Sequence, residues 1–155
     1  MFTLTNILYC FKISKRIPKY QIKKEESLYK FSESVSIALH GLVLLEKSDE
    51  RLNVKEIALK ISSFTNTVAK VFQILAKHEL VESVRGSKGG FLITKKGMDS
   101  SFFDVIEIID GISNSGNCPV NKVVCPFEKC FLNKEFFRIN KELKDYFKKM
   151  KIKQV

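Results

Sequence analysis

The stretch that decides the fold runs from Asn53 to Gly97, "NVKEIALKISSFTNTVAKVFQILAKHELVESVRGSKGGFLITKKG". It opens with Asn53 followed three positions later by Glu56, a variant capping box, so a helix starts there and buries Ile57, Ala58 and Ile61. After the short break "SSF", Val68, Val71, Phe72 and Leu75 recur at i, i+3, i+4 and i+7, the spacing of one helix face. The opposite face carries Asn66, Lys70, Gln73 and Lys77. Asn and Gln pair with adenine, and Lys pairs with guanine or a phosphate, so this face has the side chains that read a duplex. Taken alone it reads first as a solvated surface. Two helices joined by a three- or four-residue turn are what makes it a helix-turn-helix.

The residues that follow add a hairpin. "LVESV" and "FLI" are two short β-segments, and between them lies the tip "RGSKGG". Gly86, Gly89 and Gly90 permit a tight backbone excursion, while Arg85, Ser87 and Lys88 place charge and a hydroxyl on it. A hairpin after a helix-turn-helix is a wing, and an arginine at its tip suits the narrow, electronegative minor groove. The glycines do not make a nucleotide loop: the Walker spacing is absent and no dinucleotide fingerprint follows a strand.

Charge points the same way. The chain has 155 residues, with 27 Lys and Arg against 17 Asp and Glu, a net charge of +10. Such an excess on a small protein calls for a polyanion as partner. Residues 1–30 hold seven basic residues against Glu25 and Glu26, with a proline and no packing period, so residues 1–28 are expected to be a basic arm outside the fold. No apolar run approaches the roughly 18 residues of a membrane span, and the N-terminus lacks the marks of a secretory leader. A cytoplasmic protein with no membrane partner is the expectation. No nucleophile–base pair or hydrolytic constellation is present, so the role expected is binding and not catalysis.

Outside the central stretch, "FSESVSIALHGLVLLEK" presents Val35, Leu39, Leu42, Val43 and Leu45 as the broad apolar face of a mostly buried helix. "SSFFDVIEIIDG" begins at Ser100 or Ser101, carries the stripe Phe102, Val105, Ile106 and Ile109, and stops at Gly111. "NKEFFRINKELKDYFKKM" repeats Phe136, Ile139, Leu143, Phe147 and Met150 at intervals of three and four. A terminal stripe this apolar needs a partner, and because operators are commonly read by two-fold dimers, a homodimer is expected.

Between these last two helices, "GNCPVNKVVCPFEKCF" holds three of the four cysteines, Cys118, Cys125 and Cys130, while Cys10 lies in the arm. Four cysteines are too few for a disulfide-built miniature fold. Pro119 and Pro126 shape a non-helical loop, and Lys122 and Lys129 favour thiolates. Thiolates are soft ligands for an iron–sulfur cluster, zinc or copper(I), and buried thiols without metal are a further reading.

From Tyr29 to Met150 the chain resembles the winged-helix repressors that carry a three-cysteine iron–sulfur site, the IscR/NsrR type. "SIALHGLVLLE" and "VKEIALKI" are similar to the family's first two helices, "LVESVRGSKGGFLI" to its wing, and "FFDVIEIIDG" to the helix before the cysteines. The resemblance implies that Asn66, Thr67 and Lys70 lie on the recognition helix and that Arg85 enters the minor groove. Thr67 and Val68 stand where a Tyr-Leu pair is frequent. It further implies that Cys118, Cys125 and Cys130 hold a 2Fe-2S or 4Fe-4S cluster. Cys130 precedes Phe136 by six residues, the interval expected before the long helix, although six and four residues separate the cysteines where five and five are more usual. For a fourth ligand, the position that is histidine in IscR-like members is Asn133, expected to cap the helix instead. His40 aligns with a first-helix position that serves across the dimer in some relatives.

The expected fold is mainly α with a small β-wing: a winged helix-turn-helix over residues 29–98, a linking helix over 99–111, a cysteine loop over 112–132, and a dimerisation helix with a basic tail over 133–155. The expected function is a homodimeric regulator, in all expectation a repressor, that binds double-stranded DNA under control of the cluster. The alternative is a cluster-free DNA-binding protein with a zinc or thiol-redox cysteine site.

Overall fold

Helix formation in the core follows from capping at the front and burial along one side. In the computed structural model, which describes residues 30–84, 86, 89–111 and 132–155, Phe31–Val155 forms one compact unit. Its first helix, α1 (Glu33–Glu46), starts where the Ser32 hydroxyl accepts the Val35 N–H at 3.1 Å. Val35, Leu39, Leu42 and Leu45 are buried as the pattern predicts, and Ile37, Ala38 and Gly41 are buried with them, so this is the central helix of the core.

Helix α2 (Val54–Lys60) has the capping box that the sequence announced. The Asn53 side chain accepts from the N–H groups of Lys55 and Glu56, and the Glu56 carboxylate accepts from the Asn53 N–H at 2.8 Å. Helix α3 (Thr65–Lys77) buries Val68, Val71, Phe72 and Leu75 to between 0 and 2% exposure. It approaches α1 closely because Gly41 faces the Phe72 ring: a Cβ at Gly41 would sit 2.6 Å from Phe72 Cζ.

Both helices end without glycine. Ser62 (φ 56°) follows α2, with the Ser63 N–H donating to Ala58 O at 2.9 Å and the Ser62 N–H to Leu59 O. Glu79 (φ 63°) follows α3, with the Leu80 N–H donating to Leu75 O and the Glu79 N–H to Ala76 O. Each is a Schellman motif with an ordinary residue in the left-handed position. That conformation costs a side-chain-bearing residue about 1–2 kcal/mol, so the surrounding packing must hold it.

Strands β1 (Val81–Val84) and β2 (Gly90–Ile93) pair antiparallel, Val81 opposite Ile93 and Val84 opposite Gly90. At the tip the Gly89 N–H donates to Gly86 O at 2.9 Å, and Gly86 has φ 117°, which suits glycine. Leu52 adds a bridge on the outer edge, exchanging backbone hydrogen bonds with Phe91 at 2.9 and 3.2 Å. A Cβ on Gly90 would lie 2.8 Å from Leu52 O, so glycine is needed for this approach. The hairpin is thereby fixed against the entry to α2.

The chain then turns through a helix that the periodicity did not announce, α4 (Lys95–Asp99). Thr94 caps it, accepting the Gly97 N–H at 3.0 Å while its hydroxyl donates to Glu79 O at 2.7 Å. Helix α5 (Phe102–Asp110) is capped by Ser101, of the two serines considered, in a second capping box with Asp104. Its buried residues are Phe103, Val105 and Ile106, while Phe102 and Ile109 are half-buried against the core. Ser32 donates to Asp110 at 2.8 Å, tying the start of α1 to the end of α5.

Helix α6 (Asn133–Lys149) resumes the chain. Its cap position belongs to Leu132 and makes no side-chain hydrogen bond, which corrects the expectation that Asn133 is the cap: Asn133 is already the first helical residue. Beyond α6 the tail returns to the core. The Phe102 N–H donates to Met150 O at 2.9 Å and the Ile152 N–H to Ser100 O at 3.1 Å, and Ile152 in the closing 3-10 turn is fully buried. Among the described residues no helix is long and apolar enough to cross a membrane.

Candidate nucleic-acid interface

Helices α2 and α3, the turn at Ile61–Phe64 and the β1–β2 hairpin form a winged helix-turn-helix in the order the sequence predicts. Burying Val68, Val71, Phe72 and Leu75 against α1 rotates the other side of α3 outward. Asn66, Lys70, Gln73 and Lys77 are all exposed there, within one stripe along the axis. Thr67 is half-buried at the edge of the stripe. This polar face carries two cations and no acidic residue, and it stands on a rigid apolar back. Such a surface can enter a major groove without rearranging the core.

Arg85, Ser87 and Lys88 lie outside the described residues, as do Cys118, Cys125 and Cys130. The described parts that frame them are the Gly86–Gly89 turn for the wing, and the end of α5 and the start of α6 for the cysteines. Among the described residues no group of three His, Cys, Asp or Glu side chains could hold a metal ion.

His40 is on the solvent side of α1, in a shallow groove shared with Ser36, Ile37, Ile61 and Ser63. Its Nδ1 is 2.7 Å from Ser36 O. The neutral tautomer that donates Nδ1–H to this carbonyl would leave its lone pair on Nε2. That is the arrangement of metal-ligating histidines, whose second ring nitrogen donates to a backbone carbonyl. The groove borders the helix-turn-helix turn, whereas the last residue of α5, Asp110, lies beside Ser32. Eight residues of helix separate Ser32 from His40, about 12 Å along the axis.

Three exposed apolar residues of the helix-turn-helix escaped the periodicity, Ile74 on α3 being the least exposed at 37%. Leu59 in the last turn of α2 and Phe64 at the N-cap of α3 are each 79% exposed. Phe64, in the turn before α3, carries no periodic signal. The relevant mark was a phenylalanine where Ser, Thr, Asp or Asn ordinarily caps.

The same fold occurs in known regulators. The structure is similar to CymR (YrzC), the global cysteine regulator of B. subtilis, at 20% identity and a TM-score of 0.66, over 81% of this chain and 94% of that one. It is also similar to T. potens IscR at 17% identity and a TM-score of 0.61, over 80% and 83% of the two chains. At these identities the likeness establishes the fold. In sequence, a protein of Aquifex aeolicus described as an HTH-type transcriptional regulator is 29% identical over 129 residues, 81% of this chain and 90% of its own. The model of the Rrf2 family, iron-dependent transcriptional regulators, matches residues 31–155, and with the winged helix-turn-helix built from those same residues, the chain belongs to that family.

Proposed function

We propose that this chain is a homodimeric repressor of transcription whose operator binding is controlled by an iron–sulfur cluster held by Cys118, Cys125 and Cys130. The observation that carries the DNA-binding half is the division of α3 into a buried side of Val68, Val71, Phe72 and Leu75 and an exposed side of Asn66, Lys70, Gln73 and Lys77. In this reading Asn66, Thr67, Lys70 and Gln73 meet base edges and phosphates in the major groove, while Arg85 reaches the minor groove and Ser87 and Lys88 contact the backbone. A dimer is supported by α6, where Ile139 and Tyr146 stay 56% and 57% exposed on the flank that continues the apolar stripe.

The cluster half is supported by the donor chemistry and by the family's description as iron-dependent. Three thiolates hold it, and His40 from the partner subunit is the candidate fourth ligand, through Nε2 in the tautomer that donates Nδ1–H to Ser36 O. When bound, the cluster would add charge and fix the spacing of the three cysteines, and so bias the placement of α6 relative to the reading heads. The contrary reading, a cluster-free site with zinc or redox-active thiols, has in its favour that the same fold serves a regulator named for cysteine.

The DNA-binding half is tested by duplexes enriched from a random-sequence pool by the full chain. Specific affinity should fall steeply with salt, and Arg85→Ala should weaken it by about 1–3 kcal/mol. Unchanged affinity in Arg85→Ala would remove the wing from the interface.

A further inference from the structure

Phe64 is one of two apolar residues of the helix-turn-helix that leave most of their area in solvent, and it is the one at the start of the reading helix. It occupies the N-cap of α3, makes no cap hydrogen bond, and leaves 79% of its area in solvent. The other large aromatic of α3, Phe72, is fully buried. Phe64 therefore contributes nothing visible to the core, and it also forgoes the capping that a serine or threonine would supply. The first exposed polar residue of the reading face, Asn66, follows two positions on, and Lys70 one turn later.

In a helix-turn-helix the N-terminal residues of the second helix are those that reach base edges. A phenyl ring offers a base edge no donor and no acceptor. The apolar group that the major groove does present is the 5-methyl of thymine. We propose that Phe64 is a specificity-determining residue that packs on a thymine 5-methyl group in each half-site, at the position next to the bases met by Asn66. The proposal rests on the DNA-binding reading above and deepens it. The charge of the surroundings agrees, since Lys70 and Lys77 on the same helix draw the phosphates that would seat the ring in the groove.

The test uses full-length protein and a duplex it enriches from a random pool. Each thymine in turn is replaced by deoxyuridine, which pairs identically but lacks the methyl. For the unaltered chain, deoxyuridine at one symmetry-related pair of positions should lower affinity roughly three- to fivefold for each methyl removed. Phe64→Ala should bind the parent duplex more weakly by a similar factor and be indifferent to deoxyuridine at those positions. Phe64→Leu should keep part of the sensitivity, and it serves in place of the alanine variant if that fails to fold.

The idea is overturned if Phe64→Ala retains both the affinity and the deoxyuridine profile of the unaltered chain. A profile with no sensitive thymine overturns it equally, as does a Phe64→Ala variant that loses binding to another protein while reading DNA unchanged. If the unaltered chain enriches no duplex at all, the DNA-binding reading fails and takes this inference with it. Enrichment with an unmoved profile removes the inference alone.

Discussion

Helices α3 and α6 are both amphipathic, yet they stand in different states of completion. In α3 the apolar residues Val68, Val71, Phe72 and Leu75 are at most 2% exposed. In α6, Phe137, Leu143 and Phe147 are half-buried, as is Met150 at its C-cap, while Phe136, Ile139 and Tyr146 are 37, 56 and 57% exposed. Part of the hold on α6 is local: Arg138 bonds to Glu135 at 2.9 Å and to Glu142 at 2.7 Å along its own surface. The apolar stripe of α3 is thus covered within one chain. The C-terminal helix is finished only when something covers Ile139 and Tyr146, and a second copy is the proposed cover.

The sharpest break between the two helices should come from Phe72→Ala. It opens a cavity at the α1–α3 crossing against Gly41 and should cost about 3–5 kcal/mol in urea unfolding. A loss under about 1 kcal/mol would mean that the α1–α3 contact is not the centre of the core.

Ile152→Ala sharpens the contrast from the other side, because Ile152 after α6 is as buried as the core stripe of α3 even though α6 is not. A cost of about 2–4 kcal/mol is expected in the same measurement. An unchanged midpoint would detach the tail from the core.

For Ile139→Asp the expected effect is on association. Sedimentation should show the dimer dissociation constant raised roughly tenfold or more, about 1.4 kcal/mol, with the monomer's far-ultraviolet dichroism unchanged. Equal association in both proteins would place the dimer contact elsewhere.

The smallest effect belongs to Asp99, whose side chain accepts a hydrogen bond from Lys153 at 2.6 Å. That bond, with the charges of Lys153, Lys95 and Lys151, holds the carboxyl below the ordinary aspartate range. A carboxyl so lowered stabilises the fold above its unfolded pKa and loses that contribution as pH falls through its folded value. Lys153→Ala should therefore lower the melting temperature slightly at neutral pH, and the difference should vanish in acid, below the ordinary aspartate range. A difference that persists there would assign the effect to packing.

The same contrast explains what could be read from the residues alone. Asn53 with Glu56, and the spacing of Val68, Val71, Phe72 and Leu75, are local or periodic signals, and α2, α3 and the exposed stripe from Asn66 to Lys77 follow from them. Ser62 and Glu79 end helices in the conformation usually left to glycine, so composition does not mark those ends. Ile152 is a lone apolar residue among lysines, buried only because the chain returns to Ser100. Phe103 is covered by tertiary contacts, with Lys144 and Lys148 from α6 lying 4.8 and 5.2 Å from its ring centre. Position in three dimensions decides these cases, and no spacing encodes it. For Arg85, Ser87, Lys88 and the three cysteines the assignment rests on residue chemistry and family resemblance.

If cluster state controls the reading heads, as proposed, one paired measurement shows it most directly. Protein purified without oxygen should show visible cluster absorption. Its affinity for an enriched duplex should change by about tenfold or more when the cluster is removed, within the usual range of coupling between sites. Replacing Cys118, Cys125 or Cys130 by Ala should abolish the absorption and fix the affinity at the cluster-free value. Stoichiometric zinc without iron or sulfide after reconstitution, or the same DNA affinity with and without the cluster, would contradict the account.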